Sequence, residues 1–147
     1  METRTLPNEI ILEEVARLLD EGREVVFRPK GSSMLPFIRG ERDSVALQRR
    51  EDVAVGDIVL VRLPGPRYVL HRVIALSPDG EKLTLMGDGN IRGTEESRAT
   101  DVIGTVSRIL REGGRSVRPG SARLWRALLP VRRLLLGVYR RLPQALR

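Results

Sequence analysis

Four turn signals cut the middle of the chain into short apolar runs, and this punctuation constrains the fold more than any other feature. Gly56-Asp57, Pro64-Gly65-Pro66, Ser77-Pro78-Asp79-Gly80 and Gly87-Asp88-Gly89-Asn90 bound the segments Ile58 to Leu63, Tyr68 to Leu76 and Lys82 to Met86. Glycine supplies positive φ and proline a fixed φ, which tight reversals need, so these segments read as strands turned back on one another. Further short strands are expected at Glu24 to Arg28, Asp43 to Leu47 and Val102 to Leu110, with a polar loop from Gly87 to about Ala99. The expectation is a mainly β domain, antiparallel and coiled or partly closed on itself.

Helical signals occur at the two ends. With Asn8 as N-cap, Ile11, Leu12, Val15, Leu18 and Leu19 recur at helical spacing, and Gly22 stands at the C-cap position. That predicts one amphipathic helix over about residues 9–21, covering one side of the sheet. Residues 112–120, Glu-Gly-Gly-Arg-Ser-Val-Arg-Pro-Gly, read as a linker between a domain at 1–111 and a basic amphipathic tail at 121–147. In the tail Leu124, Leu128, Val131, Leu135, Val138, Leu142 and Ala145 alternate spacings of four and three, opposite Arg126, Arg133, Arg140 and Arg147. Pro130 divides it into two helical pieces, Ala122 to Leu129 and Val131 to Leu142.

Charge and composition exclude several functions. Residues 108–147 hold eleven arginines against one acid, Glu112, so the net charge of +7 belongs to the tail and not to the β domain. The tail's leucine stripe is expected to pack on the β domain or on a twin subunit. Attachment to an anionic membrane surface, with Trp125 and Tyr139 near the interface, is the second use. Nucleic-acid binding ranks last, because no reading motif accompanies the arginines; the oligomeric state stays open. The absence of cysteine removes disulfides, thiolate zinc sites and a cysteine nucleophile. With His71 the single histidine and no carboxylate ligand spacing, neither a metal nor another cofactor is expected. Met1 to Leu6 does not read as a secretory signal, and no 18 apolar residues run together, so a cytoplasmic or peripheral membrane protein is expected.

The chemistry centres on Lys30-Gly31-Ser32-Ser33-Met34-Leu35-Pro36, which alone describes a turn. His71 shares period-two parity with Val69 and Val73 on an apolar strand, where a histidine buried in the core would look the same. The two residues matter together, since a serine hydroxyl becomes a nucleophile only when a neighbouring base takes its proton.

These stretches resemble a family of serine peptidases, the type I signal peptidases and self-cleaving LexA-type repressors. Ser33-Met34-Leu35-Pro36 is similar to its nucleophile box, Gly56-Asp57-Ile58-Val59 to its strand entry, His71-Arg72-Val73-Ile74 to its general-base box and Gly87-Asp88-Gly89-Asn90 to its later Gly-Asp-Asn box, in the family's order over about Phe27 to Val106. The resemblance implies a LexA- and signal-peptidase-like coiled β fold, Ser33 as nucleophile and His71 as base, as in the family's histidine branch. Lys30 and Lys82 do not occupy the base position. For the acidic residue that orients the base, Asp88, Glu95 and Glu96 are candidates, with a Ser–His dyad lacking an acid as the alternative, and Asp88 is the choice because it stands inside the matched box. The backbone N–H of Ser33 is the first oxyanion donor and Ser32 Oγ a weaker second; Gly31 stands where family members often carry another serine. The implied activity is a serine endopeptidase that processes a peptide or precursor protein, as a small member without an N-terminal anchor. The alternative is an inactive peptide-binding module on the same fold, held at a membrane surface by its tail.

Overall fold

The computed structural model describes residues 3–5, 9–65, 67–143 and 146; Met1, Leu6, Asn8, Pro66, Ala145 and Arg147, which enter the sequence reading, lie outside them. The protein is mainly β. Among the described residues nine strands form one sheet: β1 (Thr3–Thr5), β2 (Val25–Arg28), β3 (Ser44–Gln48), β4 (Ile58–Leu63), β5 (Arg67–Leu76), β6 (Lys82–Met86), β7 (Glu95–Arg98), β8 (Val102–Leu110) and β9 (Ser116–Val117). The order is β1-β2-β3-β8-β4-β5-β6-β7, with β9 on β8, and every pairing except β1–β2 is antiparallel.

β4 shows why the sheet must coil. Its alternate residues enter two different cores: Ile58 and Leu60 join Val15, Leu19, Phe27, Leu47 and Ile109, while Val59, Val61 and Leu63 join Val73, Leu83 and Leu85. A strand buried on both faces reads as a continuous apolar run, as Ile-Val-Leu-Val does. Register shifts at Ala46/Leu47, Leu60/Val61 and Val73/Ala75 bend the strands enough to wrap one core on each side.

The first helix, α1 (Glu9–Asp20), covers the first core through Val15 and Leu19. It ends as its glycine predicts. Gly22 N–H bonds Leu19 O at 2.9 Å and Arg23 N–H bonds Leu18 O at 3.1 Å, with Gly22 at φ 84°.

The long connection from β2 to β3 carries Ser33 and is pinned at two levels. Met34 and Ile38 are buried in the first core. Beyond them Asp43, fully buried, takes hydrogen bonds from Arg39 at 2.8 Å and Arg111 at 2.7 Å, and Arg111 also bonds Phe37 O at 2.6 Å. Burial alone would raise the Asp43 carboxyl; the hydrogen bonds from Arg39 and Arg111 outweigh it and hold the group below its ordinary value.

Three strands differ from the sequence reading. β7 was expected to be polar loop, because Glu-Glu-Ser-Arg has no apolar residue to mark it; its backbone pairing with β6 carries it, and charges suit the exposed margin of a sheet. β9 lies inside the stretch read as a linker and extends β8 through a Gly113-Gly114 turn. β1 pairs in parallel with β2, where no strand was expected.

The tail forms α2 (Arg123–Ala127), a short 3-10 turn at Leu129–Val131 that absorbs Pro130, and α3 (Arg132–Arg141). Its packing departs from the expectation in part, with Leu128 and Leu135 of the stripe half-buried. Leu136 and Arg132 are the buried residues of α3, whereas Leu124, Val131 and Val138 of the expected packing stripe are exposed. Arg132 is the reason: it reaches the Gly87–Asn90 turn, bonding Asn90 O at 3.2 Å, and turns the 132/136 side of the helix inward. Trp125 is turned inward with it, its indole N–H on Asp88 O at 2.8 Å and its ring edge-on to Phe37.

Candidate active site

His71 and Arg72 are neighbours on β5, so their side chains leave opposite faces of the strand, and strand register decides which acid each meets. Arg72 is paired with Met86, and Thr84 with Glu96; Val73 is paired with Leu85, and Leu85 in turn with Glu95. Facing residues in a sheet share a side. Glu95 therefore stands on the His71 side and Asp88, two residues beyond Met86, on the Arg72 side.

The contacts follow this parity. Glu95 Oε1 lies 2.5 Å from His71 Nδ1, with both side chains largely buried. Asp88 instead receives Arg72, Nε on Oδ1 at 2.8 Å and Nη2 on Oδ2 at 2.7 Å, in a fully enclosed pair. Asp88 is thus not the partner of His71, contrary to the sequence expectation, and Glu96 is exposed on the other face. The remaining donor of Arg72, Nη1, holds Gly56 O at 2.7 Å and Gly120 O at 2.8 Å, while the guanidinium lies 5.2 Å from the Phe37 ring centroid. The Gly56-Asp57 and Gly87–Asn90 boxes are therefore joined through one buried arginine.

An ionised carboxylate only accepts, so Glu95 fixes the proton of a neutral His71 on Nδ1 and leaves Nε2 with its lone pair. That lone pair faces the Ser33 loop across Gly87. A Cβ built on Gly87 would sit 3.1 Å from His71 Nε2 and 2.3 Å from Ser33 O, so the histidine, the turn and the serine backbone meet at a point with no room for a side chain. Gly89 is similarly close to Ser32 O, and its N–H bonds Ser33 O at 2.7 Å. Asp88 N–H meets Met34 Sδ at 3.4 Å. The Gly87–Asn90 turn thus clamps the Ser33 loop against β5.

Ser33 and His71 line one cavity of about 170 Å³, closed by Met34, Ile38, Tyr68 and Leu70. No direct hydrogen bond joins the two side chains, and among the described residues neither the hydroxyl nor the N–H of Ser33 has a partner. That N–H is free to receive an oxyanion. Ser32 is exposed and does not line the cavity, so its hydroxyl is not brought to the site. Lys30 borders the cavity from an exposed position, and Lys82 is distant from it. Among the described residues no cluster of three His, Cys, Asp or Glu could hold a metal ion.

No family model and no curated protein matches this chain. The arrangement brings together a hydroxyl, an imidazole with its Nε2 toward the serine loop, a carboxylate behind it and a backbone N–H without a partner among the described residues, the parts that a nucleophile and its base require.

Gly87→Ala tests the clamp. The added methyl meets backbone at 2.3 Å and cannot be relieved by a rotamer change. The Ser33 loop must move, and a displacement near 1 Å is expected to lower acylation of Ser33 by roughly 10²-fold. The rate of acylation by a p-nitrophenyl ester measures it, and a wild-type rate would show that the turn does not set the serine.

Proposed function

We propose that this chain is a serine endopeptidase of the signal-peptidase and LexA type, with Ser33 as nucleophile, His71 as general base and Glu95 as the residue that orients the base. The reading rests above all on the Glu95–His71 contact, which turns Nε2 toward the Ser33 loop inside a shared cavity. The coiled antiparallel sheet, with the Ser33, Gly56, His71 and Gly87 boxes gathered around one corner, supports the same family assignment.

Ser33 Oγ attacks the peptide carbonyl as its proton passes to His71 Nε2, and the Ser33 N–H receives the oxyanion. His71 then donates that proton to the leaving amine, and the acyl-enzyme forms. Water, deprotonated by His71, releases the acid product and restores Ser33. Glu95 stays ionised throughout and stabilises the transient imidazolium. The small cavity beside Ser33 admits a small side chain before the cleaved bond.

The missing Ser33–His71 hydrogen bond favours a second reading, a peptide-binding module that does not cut. A fluorophosphonate probe separates the two. Covalent labelling of the wild type that disappears in Ser33→Ala supports the peptidase, and peptide binding without labelling supports the module.

A further inference from the structure

The outer face of the tail carries two properties that rarely coexist on a solvated surface. Residues 121–147 contain seven arginines and no acid. Among the described residues, the exposed large apolar side chains are Val55, Ile91 and seven in the tail, which include Leu124 at 74% exposure and Leu134 at 70%. Because Arg132 and Leu136 face the β domain, Val131, Leu134, Val138 and Leu142 fall in one outward row at spacings of three and four. Arg141 is exposed beside that row, and Arg133 and Arg140 are exposed on the flank of the helix opposite Val131 and Val138.

We propose that this face binds the surface of an anionic lipid bilayer. Leucine and valine enter the acyl boundary while guanidinium groups meet lipid phosphates, which is how basic amphipathic helices lie in an interface. The helix rests there and does not cross: ten residues rise about 15 Å, half of a hydrocarbon core of about 30 Å. No helix among the described residues is long and apolar enough to span a membrane. A second copy of the chain is a poorer occupant, since it would press two arginine-rich faces without acids together. A polyanion such as RNA would leave the leucine row exposed to water.

The inner side of the same helices gives the binding a place in the molecule. Trp125 and Arg132 hold Asp88 O and Asn90 O, the outer side of the turn that clamps Ser33. Trp125 is therefore not a lipid anchor, contrary to the sequence reading. The aliphatic row takes that role.

Flotation of the full chain with phosphatidylcholine vesicles, with and without phosphatidylserine, tests the proposal. The wild type should float only with the anionic vesicles, less so as salt rises. Leu134→Glu/Val138→Glu, both outward and without partners in the core, should lower binding at least tenfold while melting as the wild type does. Arg133→Gln/Arg140→Gln/Arg141→Gln should reduce it separately, which guards against a folding defect in the first variant. Wild-type protein that stays in solution with anionic vesicles overturns the proposal. So does a dimer, seen by sedimentation, that the same leucine and valine changes dissociate, or salt-sensitive RNA binding without vesicle binding.

Discussion

Glu95→Gln is expected to slow acylation of Ser33 by roughly 10⁴-fold while leaving the fold intact, the larger of the two kinetic effects expected for this site. Glutamine keeps the shape but presents an NH₂ that favours the wrong imidazole tautomer, with the proton on Nε2. His71 could then no longer accept the proton of Ser33, and no carboxylate would offset the charge it acquires. The loss should fall on kcat, not KM, because Glu95 touches the base and not the substrate cavity. A neutral hydrogen bond can replace the original one, so the cost in stability is about 1 kcal/mol. The acylation rate with a p-nitrophenyl ester, beside a melting curve, measures both. A rate close to wild type would remove Glu95 from the mechanism, and a collapse of the melting curve would make its role structural.

The choice between Glu95 and Asp88 also marks how far the sequence could be read. Strands with apolar residues were legible: Ile58–Leu63 and Lys82–Met86 are found where their apolar residues and flanking turns put them. The order of the boxes points to Ser33 and His71, and the two residues line one cavity. The acidic partner was not, since its selection depends on the parity of three adjacent strands. Val73/Ala75 carries a register shift that no residue type announces, and Glu95–Arg98 has no apolar residue to identify it as a strand. Counting from the Ser77–Lys82 turn, closed by a 2.9 Å bond from Ser77 N–H to Lys82 O, would set Leu85 opposite Ile74 and so Glu95 on the Arg72 side; only the shift at Val73/Ala75 brings it to His71. The tail shows the converse failure. Its heptad pattern was real, but one arginine with main-chain carbonyls to satisfy turned the 132/136 side inward and left Leu124, Val131 and Val138 of the stripe exposed.

Asp88→Asn is expected to act on stability instead, by roughly 3–5 kcal/mol, the usual consequence of removing one partner from a buried ion pair. Arg72 is fully enclosed and the Asp88 side chain nearly so. With asparagine in place, the guanidinium keeps its two carbonyl partners but loses its counter-charge and one arm of a two-pronged contact. For a chain of this length the melting temperature should fall on the order of 10 °C. Acylation of Ser33, measured well below that temperature, should persist, because Asp88 does not face His71. Arg72→Met/Asp88→Leu removes both charges and should recover much of the loss, since apolar pairs of similar volume often replace buried ion pairs at little cost. Chemical denaturation of the three proteins measures these differences. A single variant as stable as wild type would mean that the pair does not hold the Gly56 and Gly87 turns together. Acylation abolished in a folded Asp88→Asn would return Asp88 to the catalytic role that the sequence first gave it.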